Sequence, residues 1–387
     1  MKNFNIPIFR LKFDFMSKLK FLKGSWDILS SDRPLGESKY VKQFEDKFAK
    51  LSDSKYSLAC SNGTTAIELA LKSIDVRGKK VLMPSNTFFA TSVAVTNAGG
   101  IVELVDMESD SFSICPDDLE KKLNPEVGAV IIVHIGGIIS NRISKIVNLC
   151  KKNKVHLIED SAHAHCSVNE KHKAGTIGSI GCFSFFPTKV MTTGEGGMIT
   201  TNNKELYEKM KSLKNFGRDN NDGGIIINDG GNNFKINEFT GLLGSIECDR
   251  VISRIGKRTK LLERYFFNLK ETKYFVLKQK GKGVCSYYKA IIKTPIDSVW
   301  LKKYCKEKNI TLTGEVYKIP VHQQPLYKSQ FSYVNLPKTD YYCNHHICPP
   351  LYPELSLDEV DYICDVLKQA LVDYEKQSSK VNSNKKN

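Results

Sequence analysis

No Cys-x-x-Cys pair, no internal repeat and no membrane-length apolar run occurs in this chain of 387 residues. Its 11 cysteines are an odd number at irregular spacings, which suits reduced thiols in a reducing compartment better than a disulfide framework. The longest apolar stretch, Val127 to Ile139, is interrupted by His134 and is too short for a membrane helix. Near the N-terminus Arg10, Lys12 and Asp14 break up the apolar residues that a secretory signal would need. These absences lead to the expectation of a cytoplasmic protein with no membrane span. Cys343, His345, His346 and Cys348 cluster in sequence, but the spacing fits no standard zinc pattern and no second pair faces it, so no metal is expected.

Acidic residues are the scarcer charge, 42 against 57 basic, for a net charge of +15. That excess invites a nucleic-acid reading. The lysines are spread along the chain rather than gathered in a stripe with aromatics, however, so no nucleic-acid partner is expected. A positive field serves an anionic small substrate, such as a nucleotide diphosphate, equally well. Hydrophobic content of 41% and charged content of 26% are those of a soluble globular chain. The length predicts a large domain with a smaller one beside it.

What the sequence does contain is organised around Gly178 to Thr201, GSIGCFSFFPTKVMTTGEGGMITT. An apolar segment leads through Lys189 into the small-residue loop Thr192 to Gly197. Two readings fit: a surface lysine after a strand, or a lysine whose burial lowers its pKa so that it forms a Schiff base with an aldehyde.

Residues before 35 form an arm leading to a helix with Tyr40, Phe44, Phe48 and Leu51 at helical spacing. A strand at Tyr56–Cys60 is followed by Ser61-Asn62-Gly63-Thr64-Thr65 and a helix whose apolar face is Ile67, Ala70, Leu71 and Ile74. Open N–H groups at such a helix start suit a phosphate, and plain N-capping by Ser61 or Thr64 explains the same residues. Strands are then predicted at 81–83, 101–106, 129–133 and 155–158, alternating with helices. This pattern predicts a mostly parallel sheet covered on both faces. Gly63, Phe88, His134 and Asp160 would all fall at carboxyl ends of its strands, where such sheets bind ligands. Asn220 to Asn233 is the most loop-like interval, and helical character returns over 236–255. Beyond it a strand at 287–292 and helices at 298–307 and 357–374 are predicted for the smaller domain, with a disordered polar tail.

Together these pieces resemble the DegT/DnrJ/EryC1/StrS family of sugar aminotransferases, within pyridoxal-phosphate fold type I. The matching residues are SNGTTAIELAL at 61–71, PSNTFFAT at 84–91, EDSAHA at 159–164, FSFFPTK at 183–189, TGEGG at 193–197 and GNNFKINEFTGLLG at 231–244. Ile319-Pro320-Val321-His322 and Pro349-Pro350-Leu351 extend the likeness into the smaller domain. The resemblance implies an α/β fold: a large domain with a mostly parallel seven-stranded sheet flanked by helices, and a smaller α+β C-terminal domain. It implies an arm over 1–35, a cofactor domain over 36–255, a small domain over 256–375 and a tail over 376–387.

It also implies roles. Lys189 would hold pyridoxal 5'-phosphate covalently and shuttle the substrate proton. Asp160 would pair with the protonated ring nitrogen. Ser184, with the backbone of Gly63 and Thr64, would bind the phosphate, and Phe88 would stack on the ring. His163 would lie near the phenolic oxygen. Asn233 would reach the cofactor of a neighbouring subunit, making the working unit a homodimer. An amino-acid donor, in this family usually glutamate, would supply nitrogen to a nucleotide-linked keto-sugar. His134, Tyr317 and His322 are candidate substrate contacts. The chain departs from the family at Ile135 to Ser140, where a Tyr-Gly pair is common, and at Lys235, where arginine is common. Both departures are expected at substrate or subunit contacts. Two alternatives remain at this point: another lysine-dependent pyridoxal enzyme such as a lyase, and a fold-retaining regulatory or binding protein.

Overall fold

Strand–helix alternation fills the first half of the chain, which is seen in a computed structural model describing residues 4–219, 221, 224–312 and 315–384. Helices α1 (Phe15–Leu29) and α2 (Lys39–Ser52) precede β1 (Tyr56–Cys60), α3 (Gly63–Ser73), β2 (Lys80–Pro84), α4 (Ala90–Asn97), β3 (Ile101–Val105) and α5 (Pro116–Lys122). Next come β4 (Val127–Val133), α6 (Ile143–Lys152), β5 (His156–Asp160), a short hairpin of β6 (Val168–Asn169) and β7 (His172–Lys173), β8 (Ile180–Ser184), β9 (Gly197–Thr201) and α7 (Lys204–Lys214). A long helix, α8 (Glu238–Leu269), leads to β10 (Phe275–Val276), β11 (Gly283–Val284), β12 (Ile292–Lys293), α9 (Ser298–Glu307), α10 (Pro337–Asn344), β13 (His346–Ile347) and α11 (Leu357–Asn384).

The main sheet has seven strands in the order β1-β9-β8-β5-β4-β2-β3. β9 runs antiparallel to both neighbours and the other pairings are parallel, as the alternation predicts. Helices cover both faces. Apolar residues of α3, α4 and α7 pack on one side, and those of α5 and α6 on the other. The strands are therefore apolar almost throughout, and polar residues collect at their ends.

Helices α2 and α8 cross closely, and small residues make that possible. A Cβ at Gly244 would lie 2.6 Å from the Phe44 ring, and one at Gly241 2.5 Å from the Val41 nitrogen. The Glu238 carboxylate closes the junction by accepting the N–H groups of Ser38, Tyr40 and Val41 at 2.9, 2.8 and 3.1 Å. An acceptor there satisfies the open first turn of α2.

Several expectations change. The N-terminal arm contains α1, capped by Asp14, whose carboxylate accepts the Ser17 N–H at 2.8 Å. The expected boundary at 255/256 falls inside α8, which runs unbroken for 32 residues. Its first half packs with Phe183 and Phe185, its second with the C-terminal core. The strand predicted at 287–292 shrinks to β12, because Tyr287 takes φ 42° and turns the chain inward. α11 continues through 376–384 of the expected tail, extended by the helix-favouring Glu375, Lys376 and Gln377. Residues 385–387 lie outside the described residues. Among the described residues no helix is long and apolar enough to cross a membrane.

Candidate active site

At the carboxyl ends of β1, β4, β5 and β8 lies a cavity of about 480 Å³. Asn62, Gly63, Thr64, Phe88, Asp160, His163, Ser184 and Lys189 line it from the main sheet's loops, and Tyr288 and Tyr317 from the C-terminal part.

The cavity floor is set by α3. Asn62 caps that helix by accepting the Thr65 N–H at 2.9 Å, which leaves the Gly63 and Thr64 N–H groups without intrahelical acceptors. Gly63 stands so close to β8 that a Cβ there would lie 2.8 Å from the Ser184 Cβ. An open helix start, a glycine with no room for a side chain and a serine hydroxyl make a seat for an oxyanion such as phosphate.

Asp160 ends β5. Its carboxylate accepts the Thr91 hydroxyl at 3.1 Å and the Ala162 N–H at 3.2 Å. Burial pushes its pKa up, against the opposing pull of those donors and Lys189. Such a carboxylate is short of a cationic partner. Lys189 follows β8 with its ammonium 4.7 Å from the centre of the Tyr288 ring. Burial lowers its pKa, while Tyr288 and Asp160 counter part of that effect. A lysine held this way supplies neutral amine for attack on a carbonyl.

His163 lies between two tyrosines. Its ring centre is 4.3 Å from that of Tyr288, and its Nε2 is 3.3 Å from the Tyr317 hydroxyl. Nδ1 accepts the Gly136 N–H at 3.3 Å, so the proton of the neutral ring is on Nε2. Burial, then the charges of Lys189 and Lys289, hold its pKa well below the ordinary histidine value. Phe88 is exposed at the cavity mouth, 5.9 Å from the Tyr317 ring.

Three expected residues are not brought to this cavity. His134 is fully buried and its Nε2 is 3.0 Å from Glu159, which also accepts N–H groups from Gly175, Ile177 and Gly178. It therefore ties β4 to the loop before β8 instead of reaching substrate. His322 is 2.7 Å from the Ser85 hydroxyl and 2.9 Å from Asp340, and so docks α10 against the end of β2. Asn233 is exposed on the 215–233 loop, outside its own chain's cavity. The departure at Ile135 to Ser140 is also internal. All six residues are buried, and Ser140 Oγ donates to Glu108 at 2.5 Å. Lys235 bonds Asn215 at 2.7 Å, within its own chain. Cys343, His345, His346 and Cys348 serve packing and backbone contacts, and His346 Nε2 accepts the Val316 N–H at 2.9 Å. Among the described residues no three potential ligands come together around a metal-sized site.

Tyr288, Thr91 and Glu195 also line the cavity, and of these Tyr288 carries no sequence motif while Glu195 lies in the TGEGG segment. Thr91 was likewise within reach, at the end of the PSNTFFAT segment.

Residues 22–368 match the sequence profile of the DegT/DnrJ/EryC1/StrS aminotransferase family. The chain belongs to that family. Among its curated relatives is the GDP-perosamine synthase of Escherichia coli O157:H7, 28% identical over 340 residues, covering 85% of this chain and 90% of the relative. Another is the UDP-4-amino-4,6-dideoxy-N-acetyl-beta-L-altrosamine transaminase of Campylobacter jejuni, 27% identical over 352 residues, covering 87% and 91%. The fold is that of Helicobacter pylori PseC, an aminotransferase involved in the biosynthesis of pseudoaminic acid, with a TM-score of 0.84, 24% identity and coverage of 94% and 98%.

Proposed function

We propose that this chain is a pyridoxal-phosphate-dependent aminotransferase that moves an amino group from an amino acid, L-glutamate in the first instance, to a nucleotide-linked keto-sugar. The observation that carries the reading is the pairing of a pKa-lowered Lys189 with a partner-poor Asp160 in one cavity that also contains an oxyanion seat. The residues present fit the cofactor: Gly63 brings the open start of α3 so close to Ser184 that no side chain fits between them, and both line the cavity with Asp160 and Lys189. Bound there, pyridoxal phosphate supplies an aldehyde to capture amines and a ring that withdraws electrons from the substrate carbon.

The chain's own residues do the rest. Ser184 and the N–H groups of Gly63 and Thr64 bind the phosphate. Asp160 keeps the ring nitrogen protonated by a charge-assisted hydrogen bond. Phe88 would cover the ring, and His163 would lie near the phenolic oxygen. Lys189 would anchor the cofactor, and its Nζ, when free, would serve as the base that takes the proton from the donor's α-carbon and as the acid that delivers one to the sugar carbon. The donor leaves as a keto acid and the keto-sugar becomes an amino-sugar. Asn233, exposed on its loop, would complete the site of a second copy in a homodimer. The names of relatives such as a GDP-perosamine synthase and a spore coat polysaccharide biosynthesis protein support a role in amino-sugar and polysaccharide synthesis from nucleotide-linked sugars, and the enzyme is proposed to work in the cytoplasm.

The alternatives predict otherwise. A binding protein has no use for an amine poised to attack a carbonyl, and a lyase has no need of a keto-sugar acceptor. The test is an absorbance spectrum of the protein with pyridoxal phosphate, before and after glutamate. A visible band that glutamate removes, that a nucleotide-linked keto-sugar restores and that Lys189→Ala never cycles is expected. Absence of any band in folded protein overturns the reading.

A further inference from the structure

Among the described residues Tyr288 is the aromatic side chain recorded against both Lys189 and His163, and nothing in the family's motif series points to it. Its hydroxyl is fixed 2.9 Å from the Thr188 hydroxyl, next to the lysine in sequence. Its ring centre is 4.7 Å from Lys189 Nζ and 5.1 Å from Lys289 Nζ. Its backbone is held as firmly. The Tyr288 N–H donates to the Gly136 carbonyl at 2.9 Å, and the buried Arg258 guanidinium donates to the Tyr288 carbonyl at 3.3 Å.

The seat for this ring is built by the segment that departs from the family. Gly136 takes φ 65° and Gly137 φ 92°, a left-handed turn that favours glycine. A Cβ at Gly137 would lie 2.1 Å from Ser286 Oγ and 2.8 Å from the His163 carbonyl oxygen. Gly136 donates its N–H to His163 and accepts from Tyr288, so one residue fixes both rings against each other. This much backbone shaping around a single tyrosine is more than core filling requires.

We propose that Tyr288 is a positioning residue for Lys189: its ring face is the seat on which the lysine's free ammonium rests, and it sets how much of the amine is neutral. The groups facing Lys189 are Asp160, Tyr288 and Lys289, with His163 and His165 held neutral by burial. Asp160 and the tyrosine favour the ammonium, and Lys289 disfavours it. Tyr288 opposes the effect of burial and keeps the amine within reach of the substrate carbon in a fixed direction. The proposal rests on reading Lys189 as the reactive lysine, and its test does not need the cofactor.

That test is reductive methylation of Lys189 by formaldehyde in the full-length, cofactor-free chain, followed by peptide mass spectrometry across pH. Only the neutral amine reacts. Tyr288→Leu removes the ring and is expected to make Lys189 react roughly three- to tenfold faster at pH 7. Tyr288→Phe keeps the ring and is expected to match the parent within about twofold. A fluorinated phenylalanine at 288 preserves shape while weakening the ring's negative face, so it reports even if Tyr288→Leu fails to fold. It is expected to fall between the other two. Unchanged Lys189 reactivity in a folded ring-removing or fluorinated variant overturns the proposal, as does a Tyr288→Phe effect as large as that of Tyr288→Leu. Failure here leaves the transaminase reading standing, because that reading is decided by the spectrum with glutamate.

Discussion

Glu159 and Asp160 are consecutive residues of β5, both carboxylates and both buried, yet the pleat turns them to opposite sides of the sheet. Glu159 is saturated. It accepts Gly175, Ile177 and Gly178 N–H groups at 2.8, 2.7 and 2.9 Å, and His134 Nε2 at 3.0 Å. Among the described residues Asp160 has only Thr91 and Ala162 as hydrogen-bond donors to its carboxylate, and burial pushes its pKa up. One carboxylate is spent on structure and the other is left available for a ligand. Acidity alone does not distinguish them; the number of satisfied lone pairs does.

Asp160→Asn is expected to show the largest effect and the sharpest split. Losing a buried charge partner costs about 2–5 kcal/mol in the transition state, or roughly thirtyfold to a few thousandfold in turnover. Stability should move the other way. A carboxyl whose pKa is higher folded than unfolded costs stability above its unfolded pKa, in full above its folded pKa, and costs nothing below the unfolded value. The cofactor-free Asp160→Asn protein should therefore melt about 1–3 °C above the parent at pH 8, with the gap closing as the pH falls toward about 4. Melting curves across that range check it. A lower melting temperature at pH 8 would show that Asp160 is as structurally committed as its neighbour.

Glu159→Gln is the complementary experiment. An amide cannot accept from three converging N–H groups and a histidine, and breaking such a buried charged set costs about 3 kcal/mol. Denaturant titration should show that loss, while turnover at a temperature where the variant is folded stays within about threefold of the parent. A large turnover defect in fully folded protein would erase the distinction between the two faces.

How much of this was legible in the sequence follows the same division. The βα alternation, the helix start at Gly63 and the positions of Asp160 and Lys189 can be read because each is a local pattern beside a strand, whereas Ser184 is reached only through the family resemblance. Period-two alternation in β5 even places Glu159 and Asp160 on different sides. What cannot be read is supplied from a distance. Tyr288 reaches the cavity from irregular backbone, where Tyr287 at φ 42° ends any strand pattern, whereas Tyr317, a candidate from the sequence, does line it. His134 and His163 look equally eligible as sequence. They part only because Glu159 captures the first, and Gly136 the second. The departure from the family at Ile135 to Ser140 was expected at a substrate or subunit contact, and its buried glycine turn instead positions residues beneath the site.

His134 gives the smallest and most discriminating prediction. It directly follows β4, whose last residue Val133 lies opposite Asp160, but its ring is fully buried on the Glu159 side. Glu159 already accepts three backbone N–H groups, so His134 contributes the fourth donor and little more. Its Nδ1 has no partner among the described residues, so the ring carries a polar atom whose desolvation is uncompensated. A glutamine can donate to Glu159 from a similar position, so His134→Gln should cost about 1 kcal/mol. Turnover and the KM for both substrates should match the parent. His134→Ala, which also leaves a cavity, should cost about 2–3 kcal/mol. If His134→Gln instead raised the sugar's KM tenfold at unchanged stability, the ring would belong to the cavity, and the two faces of the sheet would not be as separate as their hydrogen bonds make them.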